Sequence, residues 1–245
     1  MSRDPSRQLP LALRFPPDQR LDAYVAAPAG AIAQLRALAT QPGADWCYLA
    51  GAPGTGKTHL ALGVCAAAEA AGRRAAYLPL RSAAGRVRDA LEALDGADVV
   101  ALDDLEAVAG DRDGEVALFD FHNRMRAAGH AVLYGARAAP DALPLELPDL
   151  RSRLAQCTRI ALPVLDDAGR REVLRTRARR RGLAVDDAAL DWLLRRVGRD
   201  LAGLARLFDR LDRAALAAQR RLTVPFLRAT LGEGGDGADD GAAGG

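Results

Sequence analysis

Apolar residues follow two patterns along the first two thirds of the chain, and each pattern predicts a different element. Short apolar runs bounded by glycine, proline or charge indicate buried strands, and apolar positions that recur every three or four residues indicate helices. The predicted strands are residues 46–50, 75–80, 98–104, 131–135 and 159–162. The predicted helices are residues 29–39, 58–71, 82–94 with Ser82 as N-cap, 115–128 and 150–155. This alternation predicts an α/β fold with a parallel sheet covered by helices on both faces.

The strand pattern stops after Pro163. Helical patterns continue at residues 166–181, 187–197, 200–220 and 223–231, each opened by Asp or Thr, and they predict a smaller, all-helical domain. Residues 1–20 are polar and aperiodic and predict an extended arm, whereas the Gly/Ala/Asp-rich residues 232–245 predict a disordered tail. We therefore divide the chain into an arm (1–20), an α/β core (21–162), a helical domain (163–231) and a tail (232–245).

Composition excludes several classes of protein. A net charge of +2 is too balanced for a protein that binds DNA by neutralising many phosphates. No apolar run reaches the length of a membrane span, and the N-terminus has no signal-peptide apolar region, so we expect a cytoplasmic protein without a membrane partner. Cys47, Cys65 and Cys157 have no paired spacing, which argues against a disulfide framework and a zinc site.

Residues 51–58 (GAPGTGKT) match the phosphate-binding pattern G-x-x-x-x-G-K-[ST] and lie between a predicted strand and a predicted helix. In this pattern the backbone N–H groups converge on a phosphate, and the positive end of the following helix favours the anion. The predicted nucleotide-binding residues here are Gly51, Gly54, Thr55, Gly56, Lys57 and Thr58. Lys57 would contact the β- and γ-phosphates, and the Thr58 hydroxyl would hold Mg²⁺, so we expect ADP or ATP with magnesium. Of the 34 basic residues Lys57 is the only lysine, at a position where a planar guanidinium fits poorly.

Two carboxylates, Asp103 and Asp104, end the predicted strand 98–104. Asp103 is the expected acceptor for the magnesium shell, together with Thr58. The phosphate loop points to the AAA+ class, whose active members usually have Glu at the second position to polarise the attacking water. Asp104 is one methylene shorter, and Ala136 stands where a polar residue usually helps to position that water. We expect nucleotide binding with weak hydrolysis in cis, which leaves open whether the chain is itself an enzyme.

Five longer motifs lie outside the phosphate loop: residues 77–80 (YLPL), 102–111 (LDDLEAVAGD), 118–124 (LFDFHNR), 147–154 (LPDLRSRL) and 220–226 (RRLTVPF). They resemble the Hda family, the DnaA-related AAA+ regulators that inactivate the bacterial replication initiator. The resemblance spans about residues 8–231 and implies an AAA+ core followed by a helical lid.

The resemblance implies further roles for individual residues. Gln8, Leu9 and Leu11 match the motif by which the family binds the β sliding clamp of DNA polymerase III, with the leucines in an apolar pocket and the glutamine hydrogen-bonded. Arg153 matches the arginine finger that acts in trans on a neighbouring subunit's nucleotide. Arg199 matches the lid arginine that senses bound phosphate.

The function implied by the family is regulatory. With nucleotide bound (ADP in the family) and docked on clamp loaded on DNA, the protein would stimulate hydrolysis of DnaA-bound ATP and so repress re-initiation. Its partners would be DnaA and the clamp, with DNA reached through the clamp. The alternatives are a DnaC-type helicase loader, which would not need the clamp motif, and a DnaA-type initiator, which would need a DNA-binding domain after residue 231. The sequence decides neither the resting nucleotide nor whether the chain associates with copies of itself.

Overall fold

A five-stranded parallel sheet organises the chain, with strand order β2-β3-β4-β1-β5. The computed structural model describes residues 20–25, 27–197 and 223–232. Its strands are β1 (Cys47–Ala50), β2 (Ala75–Pro79), β3 (Val99–Asp103), β4 (Ala131–Ala136) and β5 (Thr158–Ala161). The predicted α/β class and parallel sheet are confirmed. The predicted helix 200–220 lies outside the described residues, as do residues 1–19 of the predicted arm and all but the first residue of the predicted tail.

Alternating side chains of the three inner strands, β1, β3 and β4, are buried on both faces of the sheet. In β1, Tyr48 packs into one hydrophobic cluster, whereas Cys47 and Leu49 pack into the cluster on the opposite face. The Cys47 and Leu49 face is covered by α1 (Ala31–Thr40) and α2 (Lys57–Ala70), and the Tyr48 face by α3 (Val87–Glu92), α4 (Arg112–Ala127) and α5 (Pro148–Ala155). The sheet is therefore the middle of three layers, and its carboxyl edge carries the loops that follow β1, β3 and β4.

The predicted start of the helix at residues 82–94 is wrong. Residues Leu80–Ala83 form a single 3₁₀ turn, and the Ser82 hydroxyl donates to the Pro79 carbonyl at 2.7 Å instead of capping a helix. Gly85 adopts φ +74°, a left-handed conformation that interrupts a helix, and α3 begins only at Val87. A glycine within a helical pattern was the signal for this break.

The helical part that follows the sheet contains α6 (Asp167–Arg180), α7 (Asp187–Val197) and α8 (Val224–Gly232). These helices share a small core that includes Leu174, Leu190 and Leu227. The Asp166 side chain accepts a hydrogen bond from the Gly169 N–H at 2.7 Å, which confirms an acidic N-cap for α6. No helix among the described residues is long and apolar enough to cross a bilayer.

A buried carboxylate fixes the loop that leads into α5. Glu115, in the first turn of α4, is 0% exposed, and its carboxylate accepts hydrogen bonds from three backbone N–H groups. The donors are Gly110 at 2.8 Å, Glu146 at 3.0 Å and Leu147 at 2.7 Å. Because hydrogen bonds satisfy this buried charge, the segment before α5 is held against the start of α4.

Replacing Glu115 with Ala should destabilise the fold. The change leaves three backbone donors without their acceptor in a buried place, which costs about 3 kcal/mol of unfolding free energy. Urea denaturation followed by circular dichroism measures the difference. Asp113→Ala, at an exposed position of the same helical turn, is the control and should change stability by less than about 0.5 kcal/mol. Equal stabilities for the two variants would contradict this role of Glu115.

Candidate nucleotide-binding site

The loop between β1 and α2 has the backbone shape that a phosphate-binding loop requires. Gly54 and Gly56 both adopt left-handed φ angles, +81° and +91°. A Cβ atom at Gly56 would lie 2.6 Å from the Tyr24 ring, so only glycine fits there. The Tyr24 hydroxyl donates to the Thr55 carbonyl at 2.6 Å, and the Thr55 hydroxyl donates to the Ala52 carbonyl at 2.9 Å. Tyr24, a residue that sequence reasoning missed, therefore packs against Gly56 of the loop and hydrogen-bonds its backbone at Thr55.

Lys57 begins α2 and points back into this loop. Lys57 is only 8% exposed, and its Nζ atom donates hydrogen bonds to the carbonyls of Gly51 at 2.7 Å and Ala52 at 3.1 Å. Burial lowers the pKa of Lys57, an effect that the carboxylates of Asp103 and Glu106 partly oppose. The carboxylates near the Lys57 ammonium group therefore do not fully offset its burial, and phosphate oxygens would supply further negative charge.

Asp103 lies at the carboxyl end of β3 and is 1% exposed. Its Oδ2 atom accepts hydrogen bonds from the Thr58 hydroxyl at 2.5 Å and from the Tyr77 hydroxyl at 3.3 Å. Its Oδ1 atom accepts from the Asp104 N–H at 3.0 Å. The structure therefore brings together Thr58 and Asp103, the two residues predicted to serve Mg²⁺.

Gly135 in β4 gives Asp103 its space, and the sequence analysis did not identify it. A Cβ atom at this position would lie 2.6 Å from Asp103 Oδ1. Any larger residue would push the carboxylate out of its place. The glycine within an otherwise apolar predicted strand was the available signal, because glycine there often marks a close approach.

The two positions linked to weak hydrolysis have distinct surroundings. Asp104 adopts φ +58°, and its Oδ1 accepts from Arg81 Nη2 at 3.1 Å. Burial raises the pKa of Asp104, and Asp103 adds to the effect whereas Arg81 opposes it. Ala136 is 0% exposed and carries no polar atom on its side chain. A weak catalytic role for Asp104 stays a prediction.

A cavity of about 630 Å³ opens between the phosphate loop and the start of α6. Its lining includes Pro53, Gly54 and Thr55 on one side and Val164, Leu165 and Asp166 on the other. This volume suits a nucleotide, because small-molecule pockets commonly measure about 300–1,000 Å³. Helix geometry leaves the first N–H groups of α2 without an acceptor in a preceding helical turn, and those of Lys57 and Thr58 would be donors to phosphate.

The oxygen donors of the site match what Mg²⁺ accepts. Among the described residues no cluster of three or more His, Cys, Asp or Glu side chains could hold a metal by itself. Magnesium at nucleotide sites uses one or two protein oxygens together with phosphates and water. The Thr58 hydroxyl and the Asp103 carboxylate would supply those oxygens, and the ion would neutralise phosphate charge.

Arg153 lies near the amino edge of the sheet, whereas the phosphate loop of its own chain lies at the carboxyl edge. It occupies α5 five residues before Thr158, the residue that begins β5 and pairs with Cys47 at the beginning of β1. The phosphate loop follows the opposite end of β1, about 13 Å away at 3.3 Å per residue. Arg153 is exposed, whereas Arg151 is half-buried and donates to the Leu145 carbonyl. Arg151 therefore has a structural role that Arg153 lacks.

Four predicted site residues lie outside the part of the chain that the structure describes. They are Gln8, Leu9 and Leu11 of the clamp motif and Arg199 of the lid. Their roles stay predictions.

Comparisons with known proteins agree with this fold and site. The profile of the "ATPase family associated with various cellular activities (AAA)" matches residues 47–160, and the profile "Hda, lid domain" matches residues 167–231. An uncharacterized protein of Haemophilus influenzae is 38% identical over 185 residues, which cover 75% of this chain and 80% of the relative.

Solved structures share the fold at low sequence identity. Domain III of the replication initiation protein DnaA from Thermotoga maritima superposes with a TM-score of 0.72 at 18% identity, covering 89% of this chain and 98% of that one. AMPPCP-bound DnaA from Aquifex aeolicus gives 0.65 at 17% identity, covering 80% of this chain and 65% of that one. The branch migration motor RuvB of T. maritima gives 0.60 at 19% identity, covering 89% and 72%.

The parallel sheet, the phosphate loop and the helical lid define an AAA+ protein. The lid match and the DnaA-like fold make the assignment narrower: the chain belongs to the Hda family of DnaA-related AAA+ proteins. The predicted family is thereby confirmed.

Replacing Lys57 with Ala should weaken ADP and ATP binding at least about 100-fold, because the ammonium would make charge-assisted hydrogen bonds to phosphate. Isothermal titration calorimetry measures the loss. Lys57→Arg keeps the charge but places a larger, planar group where the native residue is 8% exposed, and it should also bind poorly. Unchanged affinity in Lys57→Ala would contradict the assignment of the phosphate loop.

Proposed function

We propose that this protein is a cytoplasmic regulator that binds ADP or ATP with Mg²⁺ at residues 51–58 and Asp103. Docked on the sliding clamp of DNA polymerase III, it stimulates hydrolysis of ATP bound to DnaA and so represses re-initiation. The nucleotide part is supported by the loop geometry, by the contact between Thr58 and Asp103 at 2.5 Å, and by the cavity beside the loop. The AMPPCP carried by the Aquifex aeolicus DnaA structure adds support by similarity.

The position of Arg153 carries the regulatory part of the proposal. Arg153 is exposed near the start of β5, whereas the phosphate loop of its own chain follows the opposite end of β1. It is free to reach a nucleotide on another AAA+ subunit, where a guanidinium stabilises charge that develops on the γ-phosphate. DnaA is the partner that the Hda family membership favours.

Features of the chain's own site fit a protein that acts on its partner's ATP. Ala136 offers no polar side-chain atom to orient an attacking water, and Asp104 is paired with Arg81 at 3.1 Å. Both features argue for slow hydrolysis in cis. Bound nucleotide would then serve mainly to order the protein and would be hydrolysed only slowly.

The arm should be necessary for clamp binding and dispensable for the fold. Gln8→Ala with Leu11→Ala removes the polar contact and one apolar contact of the motif, so binding to purified clamp should fall at least about tenfold. Surface plasmon resonance on immobilised clamp measures it. The double variant Ser6→Ala with Arg14→Ala alters the same arm outside the motif and should bind as the native chain does. Equal binding by both double variants would remove clamp docking from the proposal.

Arg153→Ala should keep nucleotide and clamp binding but lose stimulation of DnaA by about 10³-fold in rate, the scale of an arginine finger. Turnover of DnaA-bound ATP, measured with clamp on DNA, gives the effect. Arg159→Ala is the matched control, because Arg159 is an exposed arginine of the adjacent strand β5. Arg151 is unsuitable as a control, since it bonds the loop before α5.

Three results would contradict this assignment. Full stimulation by Arg153→Ala would remove the finger, and equal losses in Arg153→Ala and Arg159→Ala would indicate a general effect of charge. Loss of nucleotide binding in Arg153→Ala would instead place Arg153 at its own site.

A further inference from the structure

Glu106 and Arg137 form an ion pair that joins two loops at the carboxyl edge of the sheet. Arg137 Nε lies 2.6 Å from Glu106 Oε1, and the Arg137 backbone N–H donates to Glu106 Oε2 at 3.1 Å. Glu106 belongs to the single 3₁₀ turn that follows β3, whereas Arg137 directly follows β4. Both carboxylate oxygens are therefore committed to one arginine.

This pair lies beside the phosphate loop. The Ala136 carbonyl, one residue before Arg137, accepts from the Gly51 N–H at 3.1 Å, and the Gly51 carbonyl accepts from Lys57 Nζ at 2.7 Å. Glu106 follows Asp103, the expected magnesium carboxylate, by three residues. The Glu106 charge also opposes the lowering of the Lys57 pKa, second only to Asp103 among the carboxylates. A third phosphate bound by Lys57 would thus add negative charge within the electrostatic influence of the Glu106 carboxylate.

The two partners differ in how they meet solvent. The Glu106 side chain is 14% exposed, whereas that of Arg137 is 54% exposed. The guanidinium can turn towards another anion with little loss of hydration, but Glu106 would then stay half-buried with one backbone donor. Separating the pair is therefore unfavourable mainly because of Glu106.

A diphosphate and a triphosphate would act differently on this arrangement. The γ-phosphate adds negative charge that repels Glu106 and competes for Arg137, whereas ADP ends before that point. We propose that the Glu106–Arg137 pair sets nucleotide preference at the phosphate loop, because the Glu106 carboxylate would oppose a γ-phosphate whereas the Arg137 guanidinium would attract it. This inference rests on the nucleotide site proposed above and assigns Glu106 and Arg137 as its specificity-determining residues.

The test compares the affinities of the full chain for ADP and for AMPPCP, each with Mg²⁺, by calorimetry. Glu106→Gln removes the charge but keeps an acceptor for the Arg137 N–H, so the preference should move towards AMPPCP by about tenfold. Arg137→Ala leaves the carboxylate uncompensated, so the preference should move towards ADP by a similar factor. Asp120→Asn removes a carboxylate from another ion pair, with Arg88 Nη1 at 3.3 Å, and should leave the ratio unchanged.

Opposite shifts in Glu106→Gln and Arg137→Ala support the inference. An unchanged ratio in Glu106→Gln, with ADP still bound, overturns it and leaves the nucleotide site intact. Shifts of the two variants in the same direction also overturn it. A native chain that binds neither nucleotide overturns the proposed site and this inference with it. Thermal unfolding of each variant, with a midpoint near the native one, verifies that the compared proteins are folded.

Discussion

Asp103 is a carboxylate buried to 1% exposure, and its charge has to be compensated by the groups around it. The compensation comes from two distant elements, through the Thr58 hydroxyl at the start of α2 and the Tyr77 hydroxyl in β2, and from the N–H of the adjacent Asp104. The first two bonds hold α2 and β2 against the end of β3. The geometry of the phosphate loop therefore depends on this charge, and Gly135 keeps the space that it needs.

The two fully buried carboxylates of the α/β part differ in what satisfies them. Glu115 is bonded by three backbone N–H groups, which cannot turn away without rearranging the chain. Asp103 is bonded largely by hydroxyl groups, which can rotate and accept a new arrangement when a cation approaches. The first arrangement is typical of a structural charge and the second of a site that exchanges partners. The hydrogen-bond donors around each carboxylate therefore distinguish the structural role of Glu115 from the proposed binding role of Asp103.

The sequence predicted those parts of the molecule that depend on neighbouring residues. Apolar runs located all five strands, and the glycine spacing located the phosphate loop, because burial and backbone conformation are properties of short segments. Contacts across long separations were not predictable in this way. Tyr24 supports Thr55 from 31 residues away, and Glu106 reaches Arg137 across the same separation. The prediction of Ser82 as an N-cap was wrong because its hydroxyl donates to the Pro79 carbonyl in a 3₁₀ turn that precedes α3.

Hydrolysis needs more than a bound nucleotide, and the arrangement of charges indicates which half of that chemistry this chain holds. Lys57, Thr58 and Asp103 suit phosphate and magnesium, but Asp104, the candidate for acting on water, is paired with Arg81, and Ala136 has no polar side-chain atom. The exposed Arg153 lies near the start of β5, whereas its own phosphate loop follows the end of β1. In the proposed function the chain binds its own nucleotide and uses the exposed Arg153 to complete a partner's site, where a guanidinium would act on the transition state of the partner's reaction.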